Sequence, residues 1–338
     1  MIEKILSVVI PTYNMEAYLG RCLDSLVNAK DVLDELEIIV VNDGSKDRSL
    51  EIANSYKERF SDSIVIIDKP NGNYGSCINA ALKIAVGKYF RIVDADDWVD
   101  SHGLAEMVQA IKKREVDLVI TDFETKLAKR TIIHKSSPNL YGKIFSEDSE
   151  EIKELRPDRE LKMHRMTYRT AILKQIDYRQ TEGISYTDTE YVFYPLAVVR
   201  TVILMDIVVY CYWIGREGQT VSFESRSKHF KDMVCIAKRM LLNSLKDRFT
   251  NIQKIRLEFL SFVIATTFHN ALVIQNITKE NKFELEGLWR DVMAYGAGLS
   301  EMVLSTKCVG IPYINIWIKY HVQVIPPALY RMIHQIVF

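Results

Sequence analysis

The first hundred residues alternate between two periodicities, and this alternation constrains the fold more than any other feature of the chain. Leu6 to Ile10, Glu37 to Val41, Ile64 to Ile67 and Tyr89 to Val93 are short runs rich in Val and Ile, the composition of strands buried on both faces. Between them, Glu16 to Val27, Ser49 to Phe60 and Ser76 to Val86 carry apolar residues at helical spacing. The alternation predicts an α/β fold with a doubly wound, mostly parallel sheet. Ligands bind such sheets beyond the carboxyl ends of the strands. Here those ends are Pro11-Thr12-Tyr13-Asn14, Asn42-Asp43-Gly44-Ser45, Lys69 to Asn73 and Asp94-Ala95-Asp96-Asp97, all polar or turn-forming.

Farther along, Val116 to Phe123 and Lys129 to His134 read as strands, and the charged stretch Ser146 to Leu161 as a solvated helix or loop. Two ordered segments follow, MHRMTYRTAILKQ and GISYTDTEYVFYPLAV, then an aromatic strand VVYCYWIG. Beyond residue 225 the pattern is helical. The expected organisation is therefore a domain over 1–224, with halves 1–100 and 101–224, and a helical extension over 225–338. Phe259 to Thr278 carries no Asp, Glu, Lys or Arg, but its Ser, Thr, His, Asn and Gln residues suit a buried helix better than a lipid-exposed span.

Charge narrows the functional classes. The chain has 44 basic and 44 acidic side chains, which excludes a polyanion-coating protein and gives no reason to expect a nucleic-acid partner. The balance is uneven, with net −7 over residues 1–224 and +7 over 225–338. Five scattered cysteines form neither a zinc knuckle nor a disulfide framework, so a reducing, cytoplasmic setting is expected. The apolar run before Pro11 is too short for a signal peptide and reads as a first strand.

PTYN after the first strand is not the GxGxxG turn that lets a backbone approach a dinucleotide pyrophosphate, and no P-loop is present. Asp94-Ala95-Asp96-Asp97 is the strongest local chemical feature. Three carboxylates in four residues repel one another unless a cation sits among them, and a hard divalent ion bridges carboxylates to a diphosphate. The competing reading is an acidic turn capping a helix that starts near Ser101.

VVIPTYNMEAYL, EIIVVNDGSKDRSLEIA, NGNYGSCINAAL and YFRIVDADDWV, in this order and at these intervals, resemble the nucleotide-binding half of inverting family-two glycosyltransferases with the GT-A fold. MHRMTYRTAILKQ, TEGISYTDTEYVFYPLAV and IGREGQTVS resemble the acceptor half of bacterial members that build capsular and exopolysaccharides. The resemblance spans roughly residues 1–223. It implies a metal-dependent, inverting transfer from a nucleotide-sugar, a UDP-sugar by expectation, to a glycan or lipid-linked sugar acceptor, with Mn²⁺ or Mg²⁺ as cofactor.

Carried over by residue, the resemblance implies that Pro11, Thr12, Tyr13, Asn14 and Asp43 form the nucleoside pocket, with Asp43 on the uracil edge. Asp94 and Ala95 would lie by the ribose. Asp96 would be the principal metal ligand with Asp97 supporting it, and Asp188 the base that deprotonates the acceptor hydroxyl. The residue types also allow plainer roles, since Thr12 can end a strand and Asn14 or Asp43 can close a turn. Family members often have Glu-Asp where this chain has Thr187-Asp188; Glu190 reads as a solvated helix-face carboxylate, with a substitute base as the alternative. Burial beside Tyr186 and Tyr191 would raise the pKa of Asp188 and make it a better base.

Arg216 and Gln219 are candidates to close over the diphosphate, on a loop whose glycines suit movement, or else an ordinary surface turn. His164 is either a structural histidine or an acceptor contact. The aromatic and cationic tail from Gly310 fits a membrane-surface element at the inner face of the plasma membrane, a helical cap or a dimer contact. Two other functions compete: a sugar-nucleotide nucleotidyltransferase, disfavoured by the absence of a glycine-rich first turn, and a non-catalytic nucleotide-sugar-binding scaffold.

Overall fold

The computed structural model describes residues 2–215, 219, 222–244, 250–274, 277–307, 310–322, 325–327 and 330. Two compact units divide the chain: residues 1–215 with 250–252, and residues 216–249 with 253–338.

The first unit contains strands β1 (Leu6–Thr12), β2 (Leu36–Asp43), β3 (Ile64–Lys69), β4 (Tyr89–Ile92), β5 (Trp98–Val99), β6 (Leu118–Leu127), β7 (Arg130–His134), β8 (Ile144–Ser146), β9 (Met166–Arg169) and β10 (Thr201–Trp213). Its helices are α1 (Leu19–Val27), α2 (Ser49–Arg59), α3 (Asn73–Ile84), α4 (Ser101–Lys112), α5 (Thr170–Gln175) and α6 (Asp188–Phe193). The sheet order is β3-β2-β1-β4-β9-β6-β10-β5, with β7 on β6 and β8 on β10. β1, β2, β3 and β4 are parallel, as the alternation predicts, while β9 runs antiparallel between β4 and β6.

Both faces of the parallel strands are covered, which is why they read as unbroken apolar runs. Leu6, Val8 and Ile10 join Leu36, Ile38 and Val40 in one core with Leu19, Leu23 and Leu26 of α1 and Leu104, Met107 and Val108 of α4. Residues β2 and β1 contribute to the other face, Val9, Ile39 and Val41, are equally buried. Strand order reverses between β1 and β4. Their pairing stops at Val9 with Ile92, while β1 continues along β2 to Thr12 with Asn42. The two strands therefore part just before Pro11 and Asp94, opening a crevice at the switch point. Pro11 lacks an N–H donor, and it stands where β4 has already left its side.

α4 is capped by Asp100, whose Oδ1 accepts from the Gly103 N–H at 2.7 Å, so Asp97 is free of the capping role. A Cβ at Gly103 would lie 2.0 Å from the Val208 carbonyl oxygen, so only glycine lets α4 approach β10 here. β10 changes register against β6 between Met205 and Tyr210. Such irregularities redirect side chains, and beyond them Tyr210 faces Asp97.

The stretch 146–161 departs from a fully solvated segment: Ile152, Leu155, Glu160 and Leu161 are buried, and its only helix is a 3₁₀ turn, Glu150–Glu154. Apart from Glu160 its charges lie at or near the surface, while every few residues an apolar side chain returns to the protein.

The second unit is built of α7 (Phe223–Lys228), α8 (Phe230–Ser244), α9 (Asn251–His269), α10 (Lys279–Tyr295), α11 (Ala297–Ser305) and α12 (Tyr313–Tyr320). α9 continues as a π-turn to Ile274, and 251–274 is long and apolar enough to cross a membrane, yet 72% of its most apolar window is buried inside the protein. Phe268 sits at the centre of this unit, edge-on to Trp317 at 5.5 Å and to Trp289 at 6.4 Å.

Candidate functional site

The turn after β1 is fastened to the turn after β2. The Asn14 N–H donates to Ser45 Oγ and its Oδ1 accepts from the Lys46 N–H, at 3.0 and 2.8 Å. The Glu16 N–H donates to Asp47 Oδ2, and Glu16 Oε2 accepts from the Arg48 N–H, both at 2.9 Å. Asn14 takes a left-handed φ of 53°, which Asn tolerates. Its side chain thus closes a turn, and α1 starts at Leu19 rather than near Glu16 because this lashing occupies the intervening residues. Thr12 is buried with its hydroxyl on the Ile10 carbonyl, whereas Tyr13 is 44% exposed at the crevice mouth.

Asp43 is buried at the end of β2. Its Oδ1 accepts from Lys69 Nζ and from the Gly72 N–H at 2.9 Å. Its hydrogen bonds with Lys69, Gly72 and Ser76 all fall on Oδ1, so Asp43 keeps an oxygen for a ligand while Lys69 balances its charge.

Asp94-Ala95-Asp96-Asp97 fills the turn between β4 and β5. Asp94 Oδ1 accepts from the Tyr74 hydroxyl at 2.9 Å. Asp97 is buried, accepting from the Tyr210 hydroxyl at 2.7 Å and the Trp213 N–H at 2.8 Å. The Asp96 carbonyl accepts from Arg21, whose guanidinium lies over the rings of Trp98 and Trp213 at 4.0 and 4.6 Å. Burial, with Asp96 and Asp94 alongside, pushes the Asp97 carboxyl up to about 8. This is the electrostatic strain that a divalent cation removes.

His164 enters from the segment before β9. Ligand atoms of Asp94, Asp97 and His164 lie within 4.8 Å of one another. Among the described residues this is the grouping that can hold an ion, and Asp96, expected to be the principal ligand, lies outside it. Burial, helped by Lys162, Arg91 and His134, pushes the His164 imidazole down to about 3, so it stays neutral and can donate a lone pair. The donor set of two carboxylates and one neutral imidazole fits Mn²⁺ or Mg²⁺.

Asp188 opens α6. Its charge is felt by Tyr74, which bonds Asp94, and by Tyr212, which also feels Asp94, Asp96 and Asp97. The fold thus gathers Asp188 with the four-residue acidic turn across some ninety residues of sequence. Burial raises the Asp188 carboxyl above the usual range; the N–H groups of Thr189 and Asp188 and the charge of Lys162 oppose this. The direction is the one expected; the Tyr191 ring is buried, with its hydroxyl on the Phe90 carbonyl at 2.9 Å.

Glu190 requires a correction. It is fully buried rather than solvated, and its oxygens accept from the Thr181 N–H at 2.6 Å and hydroxyl at 2.7 Å. It clamps the loop that leads into Asp188. α3 holds the same loop: Asn79 exchanges hydrogen bonds with Gln180, and a Cβ at Gly75 would lie 2.1 Å from the Thr181 carbonyl oxygen. Thr187 is buried with its hydroxyl on Gln180 Oε1. NGNYGSCINAAL therefore serves the site twice, presenting Tyr74 and seating the loop of Asp188.

Gln219 is buried within the second unit; Arg216 and Gly218 lie outside the described residues. Sequence reasoning passed over Lys162, Tyr74, Tyr210 and Tyr212. The alternation of Tyr210 and Tyr212 in VVYCYW, which places both on one face of a strand, was the available signal.

The family model for Glycosyl transferase family 2 matches residues 7–178. The poly(ribitol-phosphate) beta-glucosyltransferase of Bacillus spizizenii is 40% identical over 116 residues, 34% of this chain and 18% of that protein. The match thus spans less than a fifth of that relative. A crystal structure of Staphylococcus aureus TarS 1-349 in complex with UDP-GlcNAc aligns with TM-score 0.68 at 19% identity, covering 98% of this chain and 92% of that one. The mannosyltransferase PcManGT from Pyrobaculum calidifontis, in complex with GDP-Man and Mn²⁺, aligns with TM-score 0.54 at 14% identity, covering 99% and 84%. At these identities the likeness establishes the fold.

Proposed function

The chain belongs to glycosyl transferase family 2, and from that premise we propose that it is an inverting, divalent-cation-dependent glycosyltransferase that moves a sugar from a UDP-sugar to a cell-surface glycan or its lipid-linked precursor. The observation that carries this reading is the meeting of a desolvated Asp188 with Asp94, Asp96 and Asp97 around Tyr74 and Tyr212. The UDP-GlcNAc of the Staphylococcus aureus structure supports the choice of nucleotide. The poly(ribitol-phosphate) named for the Bacillus relative adds polyol-phosphate polymers to the acceptor classes.

In this reading Asp43 and Tyr13 receive the base, with Pro11, Thr12 and Asn14 shaping the pocket, and Asp94 and Ala95 meet the ribose. Asp188 takes the acceptor O–H proton as that oxygen forms the new bond to the anomeric carbon. The bond to the diphosphate breaks on the opposite side, so configuration inverts. Carboxylates of the acidic turn, with His164 beside them, would hold the cation, which would supply positive charge to offset that of the departing diphosphate. Arg216 and Gln219 stay candidates for the diphosphate, and residues 225–338 serve as a helical cap, a dimer contact or a membrane-surface element.

A thermal-shift panel of UDP-, GDP- and dTDP-sugars with and without Mn²⁺ tests the reading. A ligand at 100 times its Kd stabilises by about 2.7 kcal/mol, a shift of several degrees. UDP-sugars with Mn²⁺ are expected to give it; no shift with any nucleotide would sink the proposal.

Asp188 acts only when ionised, and burial raises its pKa, with Glu190 adding to the rise and Lys162 opposing it. Activity is therefore lost as pH falls through that raised value. The acid limb of kcat/KM is expected above the roughly 3.9 of an exposed Asp. A profile flat down to that value would remove Asp188 as the base.

A further inference from the structure

The second half of the first unit carries a concentration of positive charge that the overall balance conceals. Residues 125–146 contain Lys126, Lys129, Arg130, Lys135 and Lys143 and no Asp or Glu, inside a region, residues 1–224, that is net −7. The first four of these cations lie on or beside the hairpin of β6 and β7, whose turn is Ala128-Lys129. Lys126 is paired with Glu124 at 2.6 Å and Lys135 with Asp206 at 2.7 Å. Lys129 and Arg130, at the tip, are exposed and form no ion pair among the described residues.

Register ties this hairpin to the candidate site. Phe123 pairs with His134, Thr125 with Ile132 and Leu127 with Arg130. Side chains alternate along a strand and cross-strand partners share a face, so these six residues form one strip. Its inner end is at the site, where the Phe123 ring stacks on His134 at 4.2 Å and on His164 at 5.3 Å. Its outer end is Arg130. Phe123 and Leu127 are four residues apart, about 13 Å at the usual strand rise.

That separation exceeds the roughly 8 Å over which exposed charges act in physiological salt. The carboxylates of the site therefore leave the positive field of the tip largely intact, and the tip does not serve the reacting groups. A neutral acceptor would gain nothing from it. An acceptor with phosphodiesters along its chain is repelled by Asp94, Asp96, Asp97 and Asp188 around its reacting hydroxyl, and needs a positive hold farther back. Lys129 and Arg130 provide one in line with the site. An anionic membrane fits the hairpin less well. Ile132 and Ile133, the exposed apolar residues of β7, are neighbours in a strand and point to opposite faces, so they present no common apolar surface to a bilayer.

We propose that the β6–β7 hairpin is an acceptor-binding arm, with Lys129 and Arg130 holding backbone phosphates of a polyol-phosphate polymer, so that a phosphate-bearing acceptor is preferred to a neutral glycan. The inference rests on the glycosyl-transfer reading and deepens it by naming the acceptor class.

The test titrates the full chain, with UDP and Mn²⁺ present, against a fluorescently labelled ribitol-phosphate oligomer and against a labelled neutral dextran oligomer of equal length, read by anisotropy. Wild type is expected to bind the ribitol phosphate more tightly and to lose that preference as sodium chloride is raised. The double variant Lys129→Gln, Arg130→Gln is expected to bind it about two- to thirtyfold more weakly, the worth of two exposed ion pairs. Its salt dependence should be flatter, with UDP binding and Tm unchanged, because both side chains are exposed. Absence of the preference in wild type overturns the proposal. So does a double variant that binds the oligomer as tightly as wild type, which would leave the cations only guarding an exposed strand edge. A variant that keeps the oligomer but loses binding to phosphatidylglycerol vesicles also overturns it, and makes the hairpin a membrane contact. The two readings fail separately: UDP bound without the preference sinks only the acceptor class, whereas no nucleotide bound with any cation sinks glycosyl transfer.

Discussion

Asp188→Asn is expected to lower kcat by about 10²- to 10⁴-fold, the usual contribution of a positioned general base, while UDP-sugar binding stays within a few-fold of wild type. Asn matches Asp in shape, and the loop before it is held by other groups: Glu190 on Thr181, Asn79 on Gln180, and Gln180 on Thr187. The substitution therefore removes the proton acceptor without removing its support. Transfer of labelled sugar read beside donor binding by calorimetry separates the outcomes. Unchanged transfer would dismiss Asp188 from its role, and joint loss of transfer and binding would make it a structural residue.

The largest stability effect is expected at Arg165. It forms an ion pair with Asp122 at 2.8 Å, both side chains 0% exposed, and Asp122 also accepts from the Tyr141 hydroxyl at 2.9 Å. Burial pushes Asp122 up and Arg165 down, so desolvation outweighs their attraction, and the pair is a matter of mutual need more than of net gain. Arg165→Met leaves Asp122 buried without its cation, at a cost of about 3–5 kcal/mol, or roughly 6–20 °C in Tm.

The pH dependence has a definite sign. With the cation gone, the folded-state pKa of Asp122 rises further above its unfolded value, so the folded state binds the proton more tightly. Stability of the variant then falls as pH rises between those two values. Denaturant unfolding should show Arg165→Met closest to wild type in acid and farthest from it near neutrality. The pair Arg165→Met, Asp122→Asn should cost less than the sum of the single changes. A variant within about 1 kcal/mol of wild type at pH 7 would contradict the account. Because Arg165 adjoins His164, the same variant should also weaken Mn²⁺ binding.

Much of the first unit was legible because its information is local. Strands such as Leu6–Thr12 and Leu36–Asp43 are buried on both faces, and continuous Val and Ile runs report that directly. Element ends were less legible where distant groups decide them. α3 begins at Asn73 rather than Ser76, with Gly72 bonded by its carbonyl to the Gly183 N–H at 2.9 Å and by its own N–H to Asp43. Glu190 misled because carboxylates in a charged, polar stretch are commonly solvated, and nothing in the local pattern announces that Thr181 folds back onto it.

The sequence by itself determined the doubly wound α/β core, the polar strand ends at its carboxyl edge and the acidic turn that makes the site chemically distinctive. These follow from periodicity and from residue types within a few positions of one another. Only the tertiary structure decided which groups meet that turn: Tyr210, 113 residues from Asp97, as its hydrogen-bond donor, and His164 rather than Asp96 as the third member of the cluster. The physical reason is that such partners are chosen by sheet order, a register change in β10 and the buried guanidiniums of Arg91 and Arg165, and these packing relations leave no period in the chain.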